Sequence, residues 1–154
     1  MDRRPIDNPP NPFATTEREY LDGMDPGQVV QVFEDHTREI LSSNDSPDIP
    51  FSWSVNPYRG CQHACAYCYA RPTHEYLSYG AGSDFDTKIM VKKNAALLLR
   101  AAFEKKSWKG DTVVFSGVTD CYQPLEASYR LTRSCLEVCA DYKNPIGIIT
   151  KSIY

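Results

Sequence analysis

The chain has 154 residues, 42% of them hydrophobic and 24% charged, with a formal net charge of −3. That is the composition of an ordinary globular domain with room for one core, and its slight acidity argues against a strong polyanion partner, because nucleic-acid binders carry a clear basic excess. No apolar run approaches the ~18 residues that a membrane span needs. The start, Met1-Asp2-Arg3-Arg4-Pro5, has no apolar segment behind it of the kind a secretory signal requires, so a cytoplasmic protein with no membrane partner is expected. Six cysteines in a reducing compartment read as ligands or free thiols rather than a disulfide framework.

Residues 1–50 read as an N-terminal arm with little regular structure. Met1 to Asn11 carries Pro5, Pro9 and Pro10 among Asn and Asp, too polar to bury a core. Thr16 to Leu21 suggests a helical turn before Asp22-Gly23. Gln28 to Glu34 is rich in β-branched residues and suggests a strand, Asp35 to Ser43 a brief helix, and Asn44 to Asp48 a turn.

From Phe51 to the end, strand and helix signals alternate. Phe51 to Pro57 is a strand leading through Tyr58-Arg59 to Gly60, which frees the backbone to turn into a cysteine-rich loop. Cys65 to Tyr79 suggests a short helix interrupted near Arg71-Pro72, and Gly80 to Ser83 a connector. Thr87 to Lys92 alternates as a second strand, after which Asn94 is placed to cap the helical run Ala95 to Phe103. Thr112 to Ser116 is an apolar third strand, Leu125 to Tyr142 carries a helical apolar stripe, and Ile146 to Thr150 is a fourth strand beyond Asn144-Pro145. The basic residues Lys88, Lys92, Lys93, Arg100, Lys105, Lys106 and Lys109 read as solvated faces.

Such alternation predicts an α/β fold with a parallel sheet and right-handed crossovers. In that architecture, chemistry gathers at the carboxyl ends of the strands. The cysteine loop follows the first strand, Lys92 ends the second, and Ser116-Gly117-Val118-Thr119-Asp120 ends the third.

The loop itself is Cys61-Gln62-His63-Ala64-Cys65-Ala66-Tyr67-Cys68. Three thiolates within eight residues can converge on one soft inorganic centre: zinc, copper(I) or an iron–sulfur cluster. With no fourth cysteine nearby, a cubane held by three would keep one iron open to a small molecule. Two other readings stand beside this one. A structural zinc site would take His63 or His74 as its fourth ligand, and an electron-transfer protein would use the cluster without binding a cofactor. Cys135 and Cys139, at i and i+4, read as buried small hydrophobes, while Cys121 beside Asp120 is a candidate for a functional thiol.

The C-x3-C-x2-C spacing with Tyr67 before the third cysteine resembles the signature loop of the radical S-adenosylmethionine (SAM) enzymes. Asn44 to Phe51, Asn56-Pro57-Tyr58-Arg59-Gly60-Cys61, Ala70-Arg71-Pro72-Thr73-His74, Ser116 to Glu126 and Arg130 to Arg133 are similar to a bacterial subfamily related to spore photoproduct lyase, described as DNA repair photolyase-like. The resemblance implies that Cys61, Cys65 and Cys68 hold a [4Fe–4S] cluster whose open iron takes SAM. A one-electron reductant such as flavodoxin or ferredoxin would drive cleavage of SAM to a 5′-deoxyadenosyl radical, which abstracts hydrogen from a substrate in a lyase-like reaction. It implies that Tyr67 lies near the adenine, that Lys92 pairs with the SAM carboxylate, and that Ser116 and Asp120 line the cofactor. It also implies a (βα) barrel of which 51–154 supplies about four of six parallel strands, making the chain a C-terminally truncated fragment. One position departs from the pattern. Spore photoproduct lyases place a hydrogen-donor cysteine where this chain has Gly117, so thymine-dimer reversal is not expected and Cys121 is the remaining catalytic candidate. The resemblance admits a nucleic-acid substrate, but the charge lends it no support and no stretch names the substrate.

Overall fold

Two small sheets and a pair of packed helices organise residues 29–153, the part of the chain that the computed structural model describes. The arm at 1–11, the helical turn at 16–21 and Gln28 lie outside the described residues. In chain order the elements are β1 (Gln31–Glu34), β2 (Leu41–Ser43), β3 (Trp53–Val55), β4 (Tyr58–Arg59), a 3-10 helix (Arg71–Leu77), α1 (Ser83–Thr87), β5 (Lys88–Val91), α2 (Ala95–Phe103), β6 (Val113–Phe115), α3 (Glu126–Tyr129), α4 (Leu131–Asp141) and β7 (Ile146–Ile148).

The fold is mixed α/β, with parallel pairs in both sheets. One sheet runs β2-β3-β6-β7, with β3, β6 and β7 mutually parallel and β2 antiparallel to β3. The other runs β1-β5-β4, with β1 parallel and β4 antiparallel to β5. A single parallel sheet of four consecutive strands is therefore not what forms. The segment 51–59 splits at Asn56-Pro57. Pro57 has no N–H to give a ladder, its carbonyl accepts the Lys92 N–H at 3.0 Å, and the Asn56 side chain is diverted to the backbone at 117–119. β3 thus pairs directly with β6, while β4 carries β5 into the second sheet.

Several local expectations change for similar reasons. The helix expected at 35–43 is absent: its last residues form β2, because pairing with β3 gives Leu41–Ser43 a ladder and leaves Ile40 in the core. The helix expected from Cys65 begins only at Arg71 and is 3-10, with Pro72 in its first turn and Ser78 closing it in the left-handed region. The Gly80–Ser83 connector runs straight into α1, which was not anticipated. The stripe at 125–142 divides at Arg130, whose φ of 51° is left-handed. Asn94 precedes α2 but does not cap it, its amide donating instead to the Thr37 carbonyl at 3.3 Å.

The core lies between β3, β6 and the facing helices α2 and α4. Leu99 and Phe103 of α2 and Cys135, Val138 and Cys139 of α4 pack against Val55, Val113 and Phe115. Both α4 cysteines are buried there as small hydrophobes, as their spacing suggests. Among the described residues β7 pairs with β6 alone, and no helix is long and apolar enough to cross a membrane.

Candidate functional site

The cysteine loop is built by removing steric and hydrogen-bonding freedom from an irregular backbone. At its entrance Gly60 has φ +80°, and a Cβ there would stand 2.8 Å from the Phe85 carbonyl oxygen and 2.9 Å from Ile89 Cδ1. Only glycine satisfies both the dihedral and the space. Behind the loop lies Arg71, almost fully buried. Its Nε donates to the Cys65 carbonyl at 3.0 Å, Nη1 to the Gly82 carbonyl at 2.7 Å, and Nη2 forks onto Asp86 at 2.9 and 3.1 Å. One guanidinium thereby staples the middle of the loop to the start of α1, the planar multi-donor work that arginine performs and lysine cannot.

The segment after β6 is fixed by the same strategy. Asn56 Oδ1 accepts the N–H groups of Gly117 and Val118 at 3.0 and 2.9 Å, and Tyr69 donates its hydroxyl to the Gly117 carbonyl. Gln123, buried, accepts the Gln62 N–H at 3.1 Å and donates to the Gly60 carbonyl at 3.2 Å, while Gln62 in turn accepts the Leu125 N–H at 2.9 Å. Glu126 accepts from Tyr58 and from the first free N–H groups of α4, Thr132 and Arg133, at 3.1 and 3.0 Å. It caps that helix from a distance, and desolvation, with the hydrogen bond to this carboxylate second, raises the Tyr58 phenol.

Between these two segments opens a cavity of about 280 Å³ at the carboxyl ends of β6 and β7. Cys61, Cys65 and Cys68 all line it, with His63, Tyr67, Ser116 to Asp120 and Ile149 to Lys151. Cys61 is the deepest of the three, and burial pushes its thiol up to about 11. Among the described residues, no three His, Cys, Asp or Glu side chains are drawn closely enough together to hold a single metal ion; the three sulfurs border the cavity instead.

Ser116 is held in the left-handed region, φ 75°, and its Oγ accepts the Cys121 N–H at 2.8 Å. A β-region strand that ends in a non-glycine residue at positive φ is uncommon, and here it turns the backbone of 117–120 along the cavity wall. Tyr67 stands at the rim, 81% exposed, with the Lys151 ammonium 4.1 Å from its ring centre and bonded to its hydroxyl. The same ammonium lies 3.5 Å from Cys65 Sγ. Asp120, beside His63, receives the end of β7: the Thr150 hydroxyl and the Lys151 N–H, each at 2.7 Å.

Two expected site residues fall elsewhere. Lys92 does not line the cavity. It is buried near Arg59, Asp35 and Cys135, and desolvation lowers its ammonium to about 8. Cys121 is fully buried in the main core among Val55, Phe115 and Cys135 and does not border the cavity. Desolvation raises that thiol to about 11. His74 is also set aside as a ligand: it is wholly buried between Phe85 and Tyr79, with Nε2 2.8 Å from the Lys88 carbonyl. His63 does face the cavity.

Thr150 and Lys151 border the cavity as well, in keeping with the rule that chemistry follows strand ends, which applies to the fourth strand as much as to the third. Arg71 stands in the sequence as a helix interruption and within the Ala70–His74 stretch of the resemblance, neither of which points to its role in anchoring the loop. Its clue was an arginine next to a proline within an irregular stretch that had many backbone groups to satisfy.

Comparison with known proteins brings relatives but no activity. No protein-family model and no solved structure matches the chain. It is 47% identical over 103 residues to uncharacterized proteins of Mycobacterium tuberculosis and Mycobacterium bovis, covering 67% of this chain and 30% of each relative. It is 37% identical over 98 residues to an uncharacterized protein of Methanocaldococcus jannaschii, covering 64% of this chain and 34% of that protein. The matched region spans about a third of the length of these relatives.

Proposed function

We propose that the chain is part of a radical SAM enzyme of the spore photoproduct lyase-related group, holding a [4Fe–4S] cluster on Cys61, Cys65 and Cys68. The observation that carries the reading is that all three thiols border one cavity shared with the ends of β6 and β7. Their chemistry fits the group: three soft sulfur donors on a loop whose backbone is anchored by Arg71, bordering a space rather than a point. When bound, the cluster and SAM supply one-electron chemistry that ends in hydrogen abstraction from substrate. The parallel strands β3, β6 and β7 then correspond to part of a (βα) barrel, with β5 displaced into the neighbouring sheet.

The protein's own share is binding, orientation and shielding. Tyr67 offers a ring at the rim for a planar group, and the backbone from Ser116 to Asp120 forms the opposite wall. A carboxylate on the cofactor needs a cation in the cavity. Lys151 meets that need and Lys92 does not, so the pairing that the family resemblance assigned to Lys92 passes to Lys151. The electron donor is a small one-electron carrier of the flavodoxin or ferredoxin type.

Anaerobic reconstitution with iron and sulfide is expected to give a brown protein absorbing near ~400 nm from thiolate–cluster charge transfer. Cys65→Ala should abolish both the colour and reductive SAM cleavage, and a variant that kept its cluster would overturn the ligand assignment. A second reading has one observation in its favour: His63 borders the same cavity as the three cysteines, so the residue types of a three-cysteine, one-histidine zinc site surround it, although their side chains would have to draw together to reach one ion. Metal analysis of protein prepared without oxygen separates the two.

A further inference from the structure

Asp120 sits on the cavity wall with its side chain only 9% exposed. A ligand-binding carboxylate in such a place keeps an oxygen free for the ligand. This one does not. Oδ1 accepts the Tyr122 N–H at 2.8 Å and the Thr150 hydroxyl at 2.7 Å, and Oδ2 accepts the Lys151 N–H at 2.7 Å while facing His63 Nε2 at 3.5 Å. A carboxylate has about four acceptor positions, so nearly all of its capacity goes to the protein. Its partners belong to three separate stretches: the cysteine loop, the turn after β6 and the end of β7.

Lys151 lies beyond the last paired residue of β7, where no ladder bond holds it. What fixes its backbone is the bond to Asp120, and what fixes its ammonium is the Tyr67 ring and hydroxyl. The two anchors act at opposite ends of one flexible side chain, and between them they set the charge 3.5 Å from Cys65 Sγ. A lysine stem has four rotatable bonds, so an unanchored backbone would spread its charge over many positions.

We infer that Asp120 is a positioning residue: it brackets the end of β7 to the cysteine loop and so holds the Lys151 ammonium in the cavity as the seat for an anionic ligand group. The chemical class of that group, resting on the function proposed above, is the carboxylate of the amino-acid part of SAM. Asp120 itself does not touch the ligand.

Two measurements test this. In metal-free protein, Asp120→Ala removes the acceptor of the Lys151 N–H altogether. Backbone exchange at Lys151, and acylation of its ammonium mapped by mass spectrometry, should both quicken several-fold; unchanged rates would overturn the bracket whatever the protein binds. In cluster-loaded protein, Asp120→Ala should weaken SAM binding about tenfold in the native background and less than about twofold when Lys151→Gln is already present, since residues acting through one another are not additive. The decarboxylated analogue of SAM should bind native protein and Asp120→Ala alike. Equal losses in both backgrounds, or a loss toward the decarboxylated analogue, would mean that Asp120 acts independently of Lys151 and overturn the inference. Should native protein take up no cluster, the functional reading falls while the exchange and acylation rates still decide the bracket.

Discussion

The helical half of the molecule and the half that carries the site are held together by different means. Around α2, α4, β3 and β6 the backbone bonds to itself, and the side chains that matter are apolar: Leu99, Phe103, Phe115, Val138. Between Gly60 and Asp86, and from Ser116 to Glu126, much of the backbone lacks regular partners, and single buried polar side chains supply them. Arg71, Asn56, Gln123 and Glu126 each satisfy two or more main-chain groups. A cavity at strand ends needs irregular backbone around it, and irregular backbone that is buried needs side-chain partners, because an unpaired buried N–H or C=O is costly. The polar residues of the second half are thus the structural counterpart of the apolar ones in the first.

If that division holds, the largest effects should differ in kind between the halves. Arg71→Met leaves Asp86 as an unpaired, mostly buried carboxylate and strips the Cys65 and Gly82 carbonyls of their donor. Breaking a buried pair from one side costs about 3–5 kcal/mol, and here the damage lies in the loop that presents the thiols. Leu99→Ala should cost a comparable ~2–5 kcal/mol through the cavity it leaves. Iron uptake at a temperature where both variants are folded tells them apart: it should fail in Arg71→Met and survive in Leu99→Ala. Equal uptake in the two would dissolve the distinction.

Smaller changes sharpen the same contrast. Gly60→Ala forces a left-handed residue and a Cβ 2.8 Å from the Phe85 carbonyl, and should lower stability by about 1–3 kcal/mol from strain alone. Gly110, also at positive φ, has open space around it, so Gly110→Ala should cost only the dihedral penalty of about 1 kcal/mol. Thermal melts of the pair measure how much of the Gly60 effect is crowding. Asn56→Ala removes the acceptor of two N–H groups and should cost about 1–3 kcal/mol, with its effect felt at the cavity wall rather than in the core.

These contrasts also explain what could be read from the sequence. The runs 95–103, 112–116 and 146–150 announced α2, β6 and β7 because apolar periodicity and β-branching are local signals, and the burial of Cys135 and Cys139 followed from their spacing. Gly60 was legible because the turn it makes is a property of one residue. The order of strands was not. Nothing in Phe51–Arg59 apart from Pro57 shows that the segment divides between two sheets, and the partner of β3 is decided by contacts more than fifty residues away. In the site, the three cysteines were legible from spacing. That Lys151 borders the cavity and Lys92 does not was not, since it depends on which strand end faces the cavity. Cys121 misled because it is adjacent to Asp120 in sequence while its side chain points into the core.

The smallest expected effect concerns the core thiols themselves. Cys135 is fully buried, and desolvation pushes its thiol up to about 12 from an ordinary value of 9. Cys139, next to it, is raised to about 11 by the same cause. An acid whose folded value lies above its unfolded one favours the fold while protonated in both states. As pH rises through 9 the unfolded thiol ionises first, the unfolded state binds fewer protons than the native one, and stability falls until the folded value is reached. Lys92 works in the opposite sense: its folded value of about 8 lies below the ordinary 10.5, so its contribution to stability rises across that interval. The thiols and the lysine partly offset one another between pH 9 and 10.5; above that the lysine adds nothing further, while the raised thiols and the raised Tyr58 phenol go on lowering stability. Melting temperature should therefore decline more steeply above pH 10.5 than between 9 and 10.5. Cys135→Ala, which removes the most strongly shifted thiol, should flatten the upper part of the curve, whereas Lys92→Met should steepen the lower part. A Cys135→Ala curve parallel to the native one would show that this thiol does not titrate within the folded core.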